Sequence, residues 1–306
     1  MYNVKQTTNR VLMIRPTCFT LNQQTATDNV FQKGGNSENV QGRALKEFND
    51  FVQKLNELGV TTKVFNTERE DTPDSIFPNN WISLDRNLIT LYPMKAENRR
   101  LERREDIVEH FKNKDVQVFD LSGWEEQGKY LEGTGSLIFD RPNNVAYMCV
   151  SERSNVEVAQ VLCKKIGYEL ISFSSFSNDR GRKVPVYHTN VVMSLGENLA
   201  VICSQSILNE EEREKVMSSI AKTGRKIVDI STQQMHCFLG NVLQIENSKS
   251  EKILVISDTS YKCLEESQKR VLQETNQHLA VVSIPTIEVF GGGSVRCCLA
   301  EIFLSV

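Results

Sequence analysis

No apolar run in this sequence approaches the ~18–20 residues that cross a bilayer. The start, Met1-Tyr2-Asn3-Val4-Lys5-Gln6-Thr7-Thr8, lacks the apolar stretch of a secretory leader. A cytoplasmic protein without membrane contact is the expectation. Positive charge is not in excess: 36 Lys and Arg stand against 39 Asp and Glu, so no basic footprint for nucleic acid or anionic lipid exists. The densest charge run, Arg99–Asp106, mixes signs and reads as a solvated helix face. Histidines number only four, and the eight cysteines include no C-x-x-C pair, so zinc-ligand spacing is missing and neither metal nor organic cofactor is expected. The cysteines fall mostly inside apolar runs, which fits buried free thiols. Low-complexity tracts are absent. The one extended polar stretch, Gln32–Gln41, reads as a mobile loop and a candidate lid.

What is present is the composition of a folded protein, 40% hydrophobic and 25% charged. A chain of 306 residues has room for two domains or for one large α/β unit. A repeat favours the second. The chain runs through a helix, a short β-rich run, a polar or glycine-containing turn and two apolar strands, several times over. In the first pass the helix is Gly42–Leu58, followed by Thr62–Phe65, the loop Asp71–Asn80 and the strands Trp81–Leu84 and Leu88–Leu91. Later helices are expected near Arg104–Lys112, Val156–Ile166, Glu210–Ala221 and Tyr261–Thr275, with a last strand at Cys297–Leu304 whose partner is the N-terminal run Val11–Ile14. Anchoring each unit at the start of its post-loop strand gives Asn80, Glu132, His188, Asn241 and Cys297, at intervals of 52, 56, 53 and 56. The economical architecture is a single α/β domain over residues 1–306, a ring of five strand-strand-helix-strand units closed by the two ends. Such a ring brings Glu132, His188 and Cys297 to one axis.

Those positions carry chemistry. Gly291-Gly292-Gly293 permit close backbone approach just before Arg296-Cys297, and a thiol beside an arginine has reason to be partly thiolate. A buried core cysteine is the competing reading, and by strand alternation it suits Cys298. His188 beside a cysteine nucleophile would be a general acid/base, where a structural histidine at a strand end is the alternative. Glu132, between small residues, either caps a turn or orients His188.

Gly-Gly-x-x-Arg-Cys near the end, His188-Thr189-Asn190 in the middle, Leu131-Glu132-Gly133 before it and Pro73-Asp74-Ser75-Ile76-Phe77 in the first third resemble the amidinotransferase, or pentein, superfamily. That group includes arginine deiminase, dimethylarginine dimethylaminohydrolase and glycine amidinotransferase. The resemblance covers nearly the full chain in order. It implies a five-bladed α/β propeller with Cys297 as nucleophile, His188 as general acid/base and Glu132 as its partner.

Two departures from the pattern bear on substrate. Arginine-type members hold a guanidinium between two carboxylates, and this chain has Asn80 and Asn190 at both places. A buried guanidinium without those carboxylates would lose several kcal/mol to desolvation, whereas an amide can both donate to and accept from a neutral ureido group. The resemblance is therefore to the citrulline-utilising branch, and implies hydrolysis of citrulline to ornithine, carbon dioxide and ammonia. Asp74 is placed to bind the substrate amino group. Arg15, Arg141, Arg182 and Arg296 are the candidates for its carboxylate. The alternatives are an arginine or methylarginine hydrolase, an amidinotransferase that takes its counter-charge from Asp74 and Glu132, and a non-catalytic propeller that binds a ligand or protein. The partner expected is a small amino acid, with homo-oligomer formation left open.

Overall fold

The computed structural model describes residues 5–35, 38–179 and 181–304. Among them are five three-stranded sheets of one design. In each, a central strand pairs antiparallel with one neighbour and parallel with the other. The central strands are Arg10–Arg15, Leu88–Leu91, Val145–Cys149, Leu199–Ile202 and Lys252–Ser257. Parallel neighbours cannot be joined by a tight turn, and each pair is bridged by a segment holding a helix: Val40–Glu57, Glu105–Phe111, Val156–Ile166, Glu210–Ala221 and Glu266–Thr275.

Local sequence explains these elements. In Val40–Glu57 the residues Ala44, Phe48, Phe51 and Leu55 fall on one stripe, and all are buried. Asn155 caps Val156–Ile166 by accepting from the backbone N–H groups of Glu157 and Val158, and Gly167 ends that helix in the left-handed region. The central strands are buried on both faces, as in Ala146, Tyr147, Met148 and Cys149. In the first sheet the N-terminal strand pairs antiparallel with Ala300–Glu301 and parallel with Thr61–Asn66.

Several expectations are corrected. Where the repeat implies a strand over Thr189–Ser194, residues Thr189–Val192 form a helical turn and only Met193–Leu195 are strand; the Thr189 hydroxyl, donating to Ser136 O and accepting from Cys149 N, holds the turn. Cys297 is not on a strand: Cys297, Cys298 and Leu299 each donate their N–H three residues back, to Ser294, Val295 and Arg296, so the thiol sits in a tight turn. Cys298 is a core residue as expected, but through that turn rather than by alternation. The segment before His188 contains a hairpin, Phe176–Asp179 with Arg182–Pro185, that the repeat did not announce. The last helix is split into Asp258–Lys262 and Glu266–Thr275. Cys237 and Cys263 form a disulfide rather than two thiols. Gln234 donating to Cys263 O and Ser260 to Cys237 O bring the two segments together.

Candidate active site

Each of the five repeat anchors lies two to six residues before an edge strand, and hydrogen bonds tie these segments to one another. The Thr134 hydroxyl donates to Asn79 O and the Thr189 hydroxyl to Ser136 O. Asn241 Nδ2 donates to Asn190 O at 3.0 Å, and Arg296 N donates to Asn241 Oδ1 at 3.1 Å. Asn80, His188 and Cys297 consequently line one cavity with Thr25, Asp74, Arg99, Arg153, Tyr187 and Gly291–Gly293.

Cys297 is 3% exposed. Asn190 Nδ2 lies 3.3 Å and Asn241 Nδ2 3.2 Å from its Sγ. Burial pushes the thiol above its ordinary pKa of 9.0, and these two amides and the nearby Arg296 offset only part of that. The helix Pro285–Gly291 delivers the turn that holds it. Both carboxylate oxygens of Glu47 accept backbone N–H groups at the start of that helix, from Thr286 and Ile287.

His188 Nε2 lies 2.8 Å from Glu132 Oε2. Burial drives Glu132 up, but Arg153, His188 and Arg99 outweigh it and hold Glu132 well below the usual carboxylate range. Glu132 is therefore ionised and only accepts, so Nε2 of His188 carries the proton and Nδ1 is left as the basic nitrogen. Burial lowers the His188 pKa below 6.5 although Glu132 opposes this, so the imidazole is neutral at neutral pH.

A cation sits in the same cavity. Arg99 is 2% exposed. It donates to both Glu102 oxygens at 2.9 and 3.0 Å and to Asn80 Oδ1 at 2.8 Å, with Asp74 and Glu132 each 3.9 Å away. Arg153 lies 3.6 Å from Glu132 on one side and clasps Asp28 on the other. Asp28 also receives Lys95 Nζ at 2.7 Å. Asp74 Oδ2 accepts from Asn22 at 2.8 Å and Thr25 at 3.0 Å. Burial raises the Asp74 pKa above the usual aspartate value. Buried polar atoms without a partner gather here: Asp74 Oδ1, both amide atoms of Asn79, Asn80 Nδ2 and Asn190 Oδ1.

The arginine expectations need correcting. Arg15 bonds Asn49 and Asn66 near the surface, Arg141 pairs with Asp85 and Glu301, and Arg182 is exposed on the extra hairpin. Arg296 is next to Cys297, but its guanidinium turns to Glu301 and Leu299 O. None of the four guanidinium groups lines the cavity. Arg99 and Arg153 do, and Arg99 comes from the charge run expected to face solvent. In that run Arg99 and Glu102 are buried as a pair, while Arg103 and Arg104 bond Glu125 and Glu68 farther out.

The cavity measures about 10 Å³, close to the room one water needs. Residues 21–34 form its roof: Asn22 and Thr25 bond Asp74, Asn29 bonds Gly292 O, Gln32 bonds Phe290 O and Asp28 bonds Arg153. The cover thus lies mostly upstream of Gln32–Gln41, and Asn36 and Ser37 of that stretch lie outside the described residues. Among the described residues, no group of three or more His, Cys, Asp or Glu side chains is placed to hold a metal ion. No helix among them is long and apolar enough to cross a membrane.

Residues 15–304 match the family model described as N,N dimethylarginine dimethylhydrolase, eukaryotic. The chain belongs to this family. Membership makes it a hydrolase of carbon–nitrogen bonds in the pentein superfamily, as the motifs led us to expect. No curated protein sequence matches the chain. Among solved structures it is similar to ArgZ, an arginine dihydrolase from the ornithine–ammonia cycle in cyanobacteria, with a TM-score of 0.76 and 17% identity over 97% of this chain. The chain spans 41% of full-length ArgZ. Against the substrate-bound N-terminal domain of ArgZ, 96% of this chain covers 99% of the domain, with a TM-score of 0.74 and 17% identity. DDAH from Pseudomonas aeruginosa, complexed with citrulline, gives a TM-score of 0.64 at 14% identity, covering 98% of this chain and 100% of that one. At these identities the likeness establishes an α/β pentein fold.

Proposed function

We propose that the chain hydrolyses a ureido amino acid, citrulline, to ornithine, carbon dioxide and ammonia in the cytoplasm. In this reading residues 1–306 act as one catalytic domain, and the five sheets are the blades of a closed propeller. The observation that carries the substrate is a pair of buried amides, Asn80 in the cavity that holds Cys297 and Asn190, whose Nδ2 lies 3.3 Å from the Cys297 Sγ. Asn80 offers an unpartnered N–H donor and Asn190 an unpartnered carbonyl acceptor. A ureido group carries three N–H donors and an oxygen that accepts, so it can use both this acceptor and this donor, and it brings no charge.

The Cys297 thiol gives its proton to the basic Nδ1 of His188, and the thiolate attacks the ureido carbon. Asn190 Nδ2 and Asn241 Nδ2 support the sulfur's negative charge. His188, held by Glu132, then protonates the nitrogen of the ornithine side chain, the C–N bond breaks and ornithine leaves. A carbamoyl thioester remains on Cys297. His188 next takes a proton from water, which attacks the thioester carbonyl, releases the thiolate and yields carbamate. Carbamate decomposes to carbon dioxide and ammonia. Asp74 binds the substrate amino group. The fork of Arg153, released by Asp28, binds its carboxylate, since an arginine fork matches a carboxylate bidentately.

The test is ornithine and ammonia release from citrulline beside citrulline and ammonia release from arginine, with wild type and Cys297→Ala. Citrulline turnover lost in the variant supports the reading, and arginine turnover alone sinks its substrate. The second reading, hydrolysis of arginine or a methylarginine, is favoured by the family description and by the L-arginine bound in the related AgrE structure.

A further inference from the structure

The Cys237–Cys263 disulfide lies where the roof meets the support of the thiol at Cys297. Phe31, a 2% exposed residue of the roof, packs against the residues on either side of Cys237. Its ring stacks on His236 at a centroid distance of 5.1 Å and meets Phe238 at 5.4 Å. A few residues further along the same segment stands Asn241, whose Nδ2 lies 3.2 Å from the Cys297 Sγ. The backbone between them is tightly folded. Phe238 takes a φ of 61°, which a residue with a large side chain adopts only when its surroundings enforce it, and Asn241 N donates to Phe238 O at 2.8 Å.

On its far side the bridge reaches the end of the helix Asp258–Lys262. The two segments also share hydrogen bonds, from Gln234 Nε2 to Cys263 O at 2.9 Å and from Ser260 Oγ to Cys237 O at 2.7 Å. These bonds keep the sulfurs close when the bridge is open, so it can break and re-form without refolding. Both cysteines are half-buried, within reach of an external thiol. Cys18, Cys149, Cys163, Cys203, Cys297 and Cys298 are free thiols. In the reducing compartment proposed above, a lone bridge among free thiols is typically transient and redox-sensing.

We propose that Cys237 and Cys263 form a redox switch on the roof, open in reducing conditions and closed by oxidation, and that the closed bridge holds the seat of Phe31 and slows access to Cys297. The inference takes the cytoplasmic setting from the reading above and none of its substrate chemistry. In closing, one cysteine thiolate attacks a sulfur of a low-molecular-weight disulfide and expels a thiol. The other cysteine then attacks the mixed disulfide and expels the second thiol. The two cysteines lose two electrons and two protons, and the external disulfide takes them up as it becomes two thiols. With the bridge open, His236 and Phe238 are held by packing and hydrogen bonds alone, so the local opening that releases Phe31 requires less free energy.

The experiment equilibrates wild type, Cys237→Ser/Cys263→Ser and Phe31→Ala with graded ratios of reduced to oxidised glutathione. Peptide mass spectrometry reads the bridge, and the rate of Cys297 alkylation by iodoacetamide reads the roof. Wild type is expected to lose alkylation rate several-fold as the bridge forms, with a single midpoint for both readouts. The double variant is expected to react at the reduced wild-type rate throughout, and Phe31→Ala to form the bridge without slowing. A bridge that forms in wild type without slowing alkylation overturns the proposal, as does equal slowing in the double variant or full slowing in Phe31→Ala. So does a bridge that never forms, or one that stays intact in millimolar reduced glutathione, which would make it a structural brace. If the double variant does not fold, separate midpoints for the two wild-type readouts still overturn the coupling. Citrulline turnover enters neither readout, so failure of the proposed substrate and failure of the switch are told apart.

Discussion

Asp28 occupies the guanidinium fork of Arg153, roofing the cavity that holds Cys297. Burial works against the Asp28 charge, but Arg153 and Lys95 more than restore it and keep the carboxyl below its ordinary pKa. The cavity is narrow, and substrate entry is expected to need residues 21–34 to shift. Asp28→Asn weakens the clasp. Alkylation of Cys297 by iodoacetamide, followed by mass spectrometry, is expected to speed up several-fold in this variant. An unchanged rate would show that the roof opens elsewhere.

Cys297→Ser is expected to keep the fold, with a melting temperature near that of wild type, and to lose turnover by about 10³-fold or more. A wild-type sample quenched during turnover should carry the carbamoyl group on the peptide containing Cys297, and the variant should carry none.

The pH profile follows from His188. In the proposed mechanism its neutral form is the base, and burial sets its pKa below 6.5, so kcat/KM should fall as pH drops through a value under 6.5. Glu132→Gln removes the group that holds this pKa up, and the limb should move further toward acid while kcat falls by about 10²–10⁴-fold. The linked stability has the same sign. A histidine buried in its neutral form contributes stability above its unfolded pKa and loses it as pH falls through the folded value. Because Arg153 and Arg99 lose a buried partner in this variant, chemical denaturation should also register a cost of about 3–5 kcal/mol.

Two glycines separate catalysis from folding. Gly135→Ala sets a methyl against Asn80 Nδ2 and the His188 ring. It should displace side chains of the site, costing activity by tenfold or more, with about 1–3 kcal/mol of stability. Gly240→Ala instead meets the backbone carbonyl of Val191, where the added Cβ would lie 2.1 Å away. It should cost more stability, because no rotamer can relieve it. Thermal unfolding and steady-state kinetics on the pair distinguish the two effects.

Much of this was readable from the chain because both fold and site are written in its repeat. The spacing of Asn80, Glu132, His188, Asn241 and Cys297 named five positions that hydrogen bonds and one cavity bring together. Asn241 was an anchor in that register but not a site candidate, although the register was the signal that it faces Cys297. Arg99 was hidden because a mixed-charge run does not disclose which of its members is buried, and Glu102 three residues on satisfies it privately. Arg153, in Ser151-Glu152-Arg153-Ser154, had no periodicity around it at all. Its role depends on Asp28, far away in sequence. The turn at Cys297 escaped for a related reason: an apolar run after three glycines reads as strand, and only the backbone bonds from Cys297 to Leu299 show otherwise.

The resting thiol of Cys297 has one more consequence. A low-pKa cysteine flanked by a free cation is always reactive, toward peroxide and cellular disulfides as much as toward substrate. Here two neutral amides flank the sulfur and burial keeps its proton on. The group that this reading makes the nucleophile is thus stored in its protonated form beneath residues 21–34, and in that reading it is armed only when His188 takes the proton.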